Sequence, residues 1–141
     1  MWVPIIASSL AMLALDAAWL WANLGRYQAL VRGVQFGRSM VASRAAAAVA
    51  YALMVIGVAF IVVPGALAST LPMLQAAAKH GALFGLVVYG IFNATCAAMF
   101  SGYDVRTAVI DTVWGTTLFF VVALVALAVD QWRRTHRIRR Q

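Results

Sequence analysis

Two aspartates inside hydrophobic runs open the same tetrad, Asp16-Ala17-Ala18-Trp19 and Asp111-Thr112-Val113-Trp114. An unpaired carboxylate at membrane depth costs about 2.5–3.5 kcal/mol on insertion scales. The chain has only four acidic residues, so setting two of them at such depth points to a use. Buried carboxylates bind a cation or a proton, and two in one pocket would favour the protonated form and titrate as a coupled unit. Trp19 and Trp114 follow their carboxylates by one helical turn, close enough to line the same cavity, and an indole N–H donates without accepting. Tyr51, Tyr89 and Asn93 add polar groups in the neighbouring runs.

The candidate ion- or substrate-binding set is therefore Asp16, Trp19, Tyr51, Tyr89, Asn93, Asp111 and Trp114. Transport is the reading it favours, as a proton-coupled or small-solute transporter or channel. One competitor is a membrane scaffold whose polar side chains are interhelical glue, worth about 1 kcal/mol each. Carboxylates are costly for that purpose, which weighs towards a site. Another is an intramembrane enzyme using paired carboxylates, which residue spacing does not separate from a transport site. His80 lies about 20 Å along its helix from Asn93, too far to share a metal with the aspartates. Ser8 and Ser9 have no histidine near them in sequence or depth to act as a base. No catalytic residue, metal or cofactor is assigned.

The elements that position these residues are apolar runs. Of 141 residues, 65% are hydrophobic and 11% charged, outside the range of soluble domains. Four runs, 2–24, 45–63, 81–100 and 108–129, are long enough to span a bilayer, which takes about 20 helical residues. They predict an all-α, four-transmembrane-helix bundle over residues 1–130, followed by a basic juxtamembrane tail, 131–141. The protein is expected to be multi-pass, in a bacterial cytoplasmic membrane. The first run lacks a basic leader and contains Asp16, with Asn23 close behind, so it is expected to stay as the first helix.

Measured from the end nearest the first and third connections, Asp16 lies about 12 Å deep, Asn93 about 10 Å, Tyr51 about 9 Å and Asp111 about 5 Å. All four helices thus offer a polar group in one half of the membrane, and Asp16, Asn93 and Asp111 are expected to face one another. Ser9, Asp16, Trp19 and Asn23 share one face of the first helix, as Gly81, Gly85, Tyr89 and Asn93 do on the third. Gly81 and Gly85 form a Gly-x-x-x-Gly helix-packing face, which serves contact within the chain or a homo-oligomer. Cys96 is a lone cysteine, read as a small packing residue.

In the first connection, Tyr27, Leu30, Val31 and Val34 recur at helical spacing opposite Arg26, Arg32 and Gln35. This predicts a short interfacial helix closed by Gly33 or Gly37, with a plain arginine-rich loop as the alternative. The second connection, 64–78, opens on Pro64-Gly65, a turn signal. The third, 101–107, is short and makes the last two spans a hairpin.

The net charge of +7 comes from juxtamembrane arginines. Arg133, Arg134, Arg137, Arg139 and Arg140 in the tail are expected at anionic lipid headgroups of the bilayer. Nucleic acid is not an expected partner, because no folded recognition module adjoins them. Arg26, Arg32, Arg38, Arg44 and Arg106 on one side balance Lys79 and the five tail arginines on the other, so charge sets no orientation.

The stretch from Gly81 to Gly90, then Asn93-Ala94-Thr95, then Ile110-Asp111-Thr112-Val113-Trp114-Gly115-Thr116, resembles domain of unknown function 2177, a family of small membrane proteins. Leu15-Asp16-Ala17-Ala18-Trp19-Leu20 is similar to its first-helix pattern. The resemblance implies a four-helix membrane fold and no particular activity. Where the family often has Tyr-Asp-x-Thr-Asn, this chain has Phe92-Asn93-Ala94-Thr95-Cys96. Asn93 thus stands where an acid would make a third carboxylate.

Overall fold

A computed structural model describes residues 2–138, and among them every regular element is helical. Helix α1 is Trp2–Ala22, α2 is Leu24–Val34, α3 is Arg44–Ala68 and α4 is Met73–Met99, and α5 is Val105–Ile138. Helices α1, α3, α4 and α5 are long and apolar enough to cross a membrane. Helix is the economical backbone there, because peptide groups in lipid must bond within their own segment. The result is a four-helix bundle of a multi-pass integral membrane protein, with α2 as a short extra helix between the first two spans.

Helix α5 is the central element, and both α1 and α4 pack along it. One half of the bundle has an apolar core: Met12, Val58, Val62, Val63, Ala66, Ala77, Leu118, Phe119 and Val122 are buried together, and Ser8 and Ser9 of α1 are buried in the same half. The other half, towards α2, holds the buried polar residues Asp16, Asn93, Thr107 and Asp111. Gly81 lies against the Phe119 carbonyl and the Ala123 methyl, and Gly85 against the Gly115 carbonyl. A side chain at either position would overlap backbone atoms of α5, so these glycines let α4 approach it closely.

Helix α3 starts where Ser43 accepts a hydrogen bond from the Ala46 N–H at 3.3 Å, an N-cap. It then runs past the position where Pro64-Gly65 predicts a stop. A π-helical turn over Val58–Val62 precedes Pro64, which falls in the first turn of the following α-helical stretch. Pro lacks an N–H and clashes with the carbonyl four residues back in regular helix; the wider turn rearranges those carbonyls. In lipid, continuing the helix with this adjustment leaves fewer unpaired backbone groups than breaking it.

The real break is 69–72, so α4 begins eight residues before the predicted span and has its own π turn at Ala78–Ala82. The last span is also longer than expected. The residues assigned to a separate tail continue α5 to Ile138, and Arg134 pairs with Asp130 one turn earlier at 2.6 Å. Arg133 and Arg134 lie on this helical extension. The side chain of Arg137, and Arg139 and Arg140 entirely, lie outside the described residues.

Helix α2 crosses the polar end of the bundle with no residue fully buried. It ends through Gly37, whose φ of +88° suits glycine and whose N–H donates to the Arg32 carbonyl at 2.8 Å. Gly33 has a different part: its Cα faces the Gly102 carbonyl, and an added Cβ would lie 2.9 Å from that oxygen. Two glycines therefore let α2 dock on the α4–α5 connection.

Candidate functional site

Asp16 enters the polar half from α1 and is 5% exposed. Its Oδ2 accepts from the Tyr51 hydroxyl of α3 at 2.9 Å. Its Oδ1 accepts from the Trp114 indole of α5 at 3.1 Å, and the Tyr89 hydroxyl of α4 stands at 3.4 Å. All four membrane-spanning helices thus converge on one carboxylate.

Asp111, 9% exposed, has a separate set of donors. Its Oδ2 accepts from Asn93 Nδ2 at 2.8 Å, and its Oδ1 from the Tyr27 hydroxyl at 2.5 Å. Asn93 Nδ2 also donates to the Tyr89 carbonyl at 3.0 Å, while its Oδ1 accepts from the Tyr103 hydroxyl at 2.7 Å. Because the Tyr89 carbonyl only accepts, the amide orientation is set by its partners.

Asp16 and Asp111 make no hydrogen bond to each other. They are joined through neutral side chains. Tyr89 binds Asp16 through its hydroxyl and Asn93 through its carbonyl. Trp19 donates to the Tyr27 hydroxyl at 3.0 Å and stacks on Trp114, with ring centroids 4.4 Å apart and planes 4° from parallel. Each tetrad's indole therefore serves the other tetrad's carboxylate, Trp114 directly and Trp19 through Tyr27.

Local backbone makes this possible. A Cβ at Gly115 would fall within the Tyr89 ring, so glycine there lets that ring lie across α5 and aim its hydroxyl at Asp16. Asn23, although on the same face as Asp16, turns back to the Trp19 carbonyl at 3.0 Å and joins neither carboxylate. Ser9 is buried two turns from Asp16, and its hydroxyl has no protein partner.

Tyr27 and Tyr103 were absent from the sequence-derived set because they lie in connections, where helical depth arithmetic does not reach. Tyr27 shares a helical face with Leu30, Val31 and Val34, which was the available signal, whereas Tyr103, between Gly102 and Asp104, offers none. Burial raises the Tyr27 phenol above its ordinary range, helped by its bond to Asp111. Burial, with Cys96 nearby, pushes Tyr103 up to about 12. Both therefore stay protonated donors at neutral pH. Asp104 is exposed and its carboxyl is held below the usual value by the Thr107 hydroxyl and amide that it caps.

A cavity of about 510 Å³ lies between α2 and the ends of α4 and α5, with Tyr27, Asn93 and Asp111 in its wall. Among the described residues, no His, Cys, Asp or Glu side chains gather in a group able to hold a metal ion.

A family described as a predicted membrane protein, DUF2177, matches residues 1–128. The chain belongs to this family. The DUF2177 match includes both tetrads and every side chain of the carboxylate network. Neither the curated proteins nor the solved structures contain a match.

Proposed function

We propose that this DUF2177 protein is a small-solute or proton-coupled transporter or channel whose translocation site is the Asp16–Asp111 network. The observation that carries the reading is the position of Asp111: the carboxylate is buried in the polar end of the bundle yet forms part of a cavity wall. Interhelical glue has no need of a cavity at its charged group. In this reading Asp111 receives the solute or ion, and Asp16, enclosed by donors from three other helices, senses its charge through Tyr89 and the indole stack. Loss of the Tyr27 bond would free α2 to move, supplying a gate at that end.

Reconstitution tests it. Currents recorded from membranes containing the protein under imposed proton or cation gradients should exceed those of protein-free membranes, and Asp111→Asn should remove the excess. Currents equal to the protein-free control under all gradients would reject transport. They would favour the scaffold reading, which has its own support: each carboxylate oxygen already has a hydrogen-bond donor.

The proposal extends to the surroundings. The protein sits in a bacterial cytoplasmic membrane, with Arg133 and Arg134 at anionic headgroups. A homo-oligomer would pair outer helix faces, since Gly81 and Gly85 are occupied by α5 within the chain.

A further inference from the structure

The cavity beside Asp111 has a composition that selects a class of ligand. Its wall is mainly apolar and includes four aromatic rings, Tyr27, Phe92, Phe100 and Tyr103. The polar groups Asn93 and Asp111 also line it, and Asp111 is its one carboxylate among the described residues. The chain carries eleven Lys and Arg residues, yet among the described residues none lines this cavity.

Charge is the second observation. Among the described residues, the ion pair that forms is Arg134–Asp130, far along α5 from the site. Asp16 and Asp111 receive neutral donors only: tyrosine hydroxyls, an indole and an amide. An intramembrane carboxylate that stays ionised needs an opposite charge, because neutral hydrogen bonds do not cancel its own. Here Asp111 has no such partner from the described chain and has a cavity beside it.

We infer that the cavity binds a small lipophilic monocation, its charge near Asp111 and its apolar body against the aromatic wall. This rests on the transport reading for its purpose, although binding itself is independent of flux. An anion is repelled by Asp111 and finds no basic group in the wall among the described residues. A neutral apolar solute or a lipid acyl chain would fill the volume but leave the carboxylate unanswered. A delocalised cation gains from both features, since ring faces attract it and the carboxylate supplies a full opposite charge. The size also suits a drug-sized molecule, for which pockets span about 300–1,000 Å³. A ligand with N–H donors would compete with Tyr27 for Asp111 Oδ1 and so act on the hold of α2.

A matched pair of probes separates charge from greasiness. Tetraphenylphosphonium and tetraphenylborate have similar size and shape and opposite charge. Equilibrium dialysis against the full chain in phosphatidylcholine nanodiscs, with empty nanodiscs subtracted, should show saturable tetraphenylphosphonium binding. Tetraphenylborate binding should be weaker by at least about tenfold. Asp111→Asn should weaken tetraphenylphosphonium binding by about tenfold or more. Phe92→Leu and Phe100→Leu, at exposed positions and keeping apolar character, should each weaken it by about threefold. These two variants provide the test should Asp111→Asn fail to fold.

Equal saturable binding of both probes, or none of the cation, would overturn the assignment. Binding of the cation unchanged in a folded Asp111→Asn protein would overturn it too. Saturable cation binding without currents for any ion would retain the site and remove the transport reading. Proton currents without cation binding would do the reverse.

Discussion

Trp19 and Trp114 stack face to face at 4.4 Å, and each indole N–H leads to the carboxylate of the other's tetrad. The crossing ties the last turn of α1 to α5 and, through Tyr27, to α2. It makes two separately placed carboxylates into one connected structure. If the stack is the connection, replacing both tryptophans should have a non-additive cost. Trp19→Ala, Trp114→Ala and the double variant, compared by reversible unfolding in mixed detergent micelles, should give a coupling of about 0.5–1.5 kcal/mol.

Tyr27 holds α2 by one strong bond to Asp111. Tyr27→Phe keeps the ring and deletes the hydroxyl, leaving Asp111 Oδ1 and the Trp19 N–H without that partner. The expected loss is about 1–3 kcal/mol in local stability. Hydrogen exchange should report it as faster exchange across 24–34, with little change in the apolar half of the bundle.

Helix spacing gives a prediction with an internal control. Gly85→Ala would press a methyl into the Gly115 carbonyl of α5, costing about 1–3 kcal/mol. Gly25→Ala in α2 meets nothing within 4 Å and removes a flexible helix residue, so it should be neutral or stabilising by up to about 1 kcal/mol. Thermal unfolding followed by circular dichroism should rank Gly25→Ala at or above wild type and Gly85→Ala below both.

At the start of α5, Asp104 accepts from the Arg106 and Thr107 N–H groups and from the Thr107 hydroxyl. These bonds favour its ionised form, so its folded-state pKa lies below the ordinary 3.8. The sign follows: the cap contributes above that ordinary value and is lost as pH falls through the lowered one. Asp104→Ala should therefore unfold at a lower temperature than wild type at pH 6, with the gap narrowing below about pH 3.8.

Much of this arrangement is legible in the sequence because a membrane span behaves as a ruler. Constant rise and period bring Asp16, Tyr51, Tyr89, Asn93 and Asp111 into the same half of the bundle, and the structure gathers their side chains with Trp19 and Trp114. The misreadings fall where that ruler stops. Pro64 signals a turn in water, but lipid offers a broken helix no solvent for its unpaired groups, and a π turn absorbs the proline instead. Tyr27 belongs to a connection whose docking depends on Gly33 meeting Gly102, a tertiary contact with no periodic signature. The cavity is likewise a product of how α2 lies across the bundle.

The most direct test of a functional network, as against structural glue, measures flux and folding on the same preparations. Proteoliposomes with a pH-sensitive dye inside and an imposed pH gradient would hold wild type, Asp16→Asn, Asp111→Asn or Thr117→Ala, the last at an exposed position outside the network. The account predicts gradient collapse faster than in empty liposomes for wild type and Thr117→Ala, and at the empty-liposome rate for Asp111→Asn that retains its helical content. Asp16→Asn should be impaired as well. Wild-type collapse no faster than empty liposomes, or equal rates in folded Asp111→Asn and wild type, would contradict it.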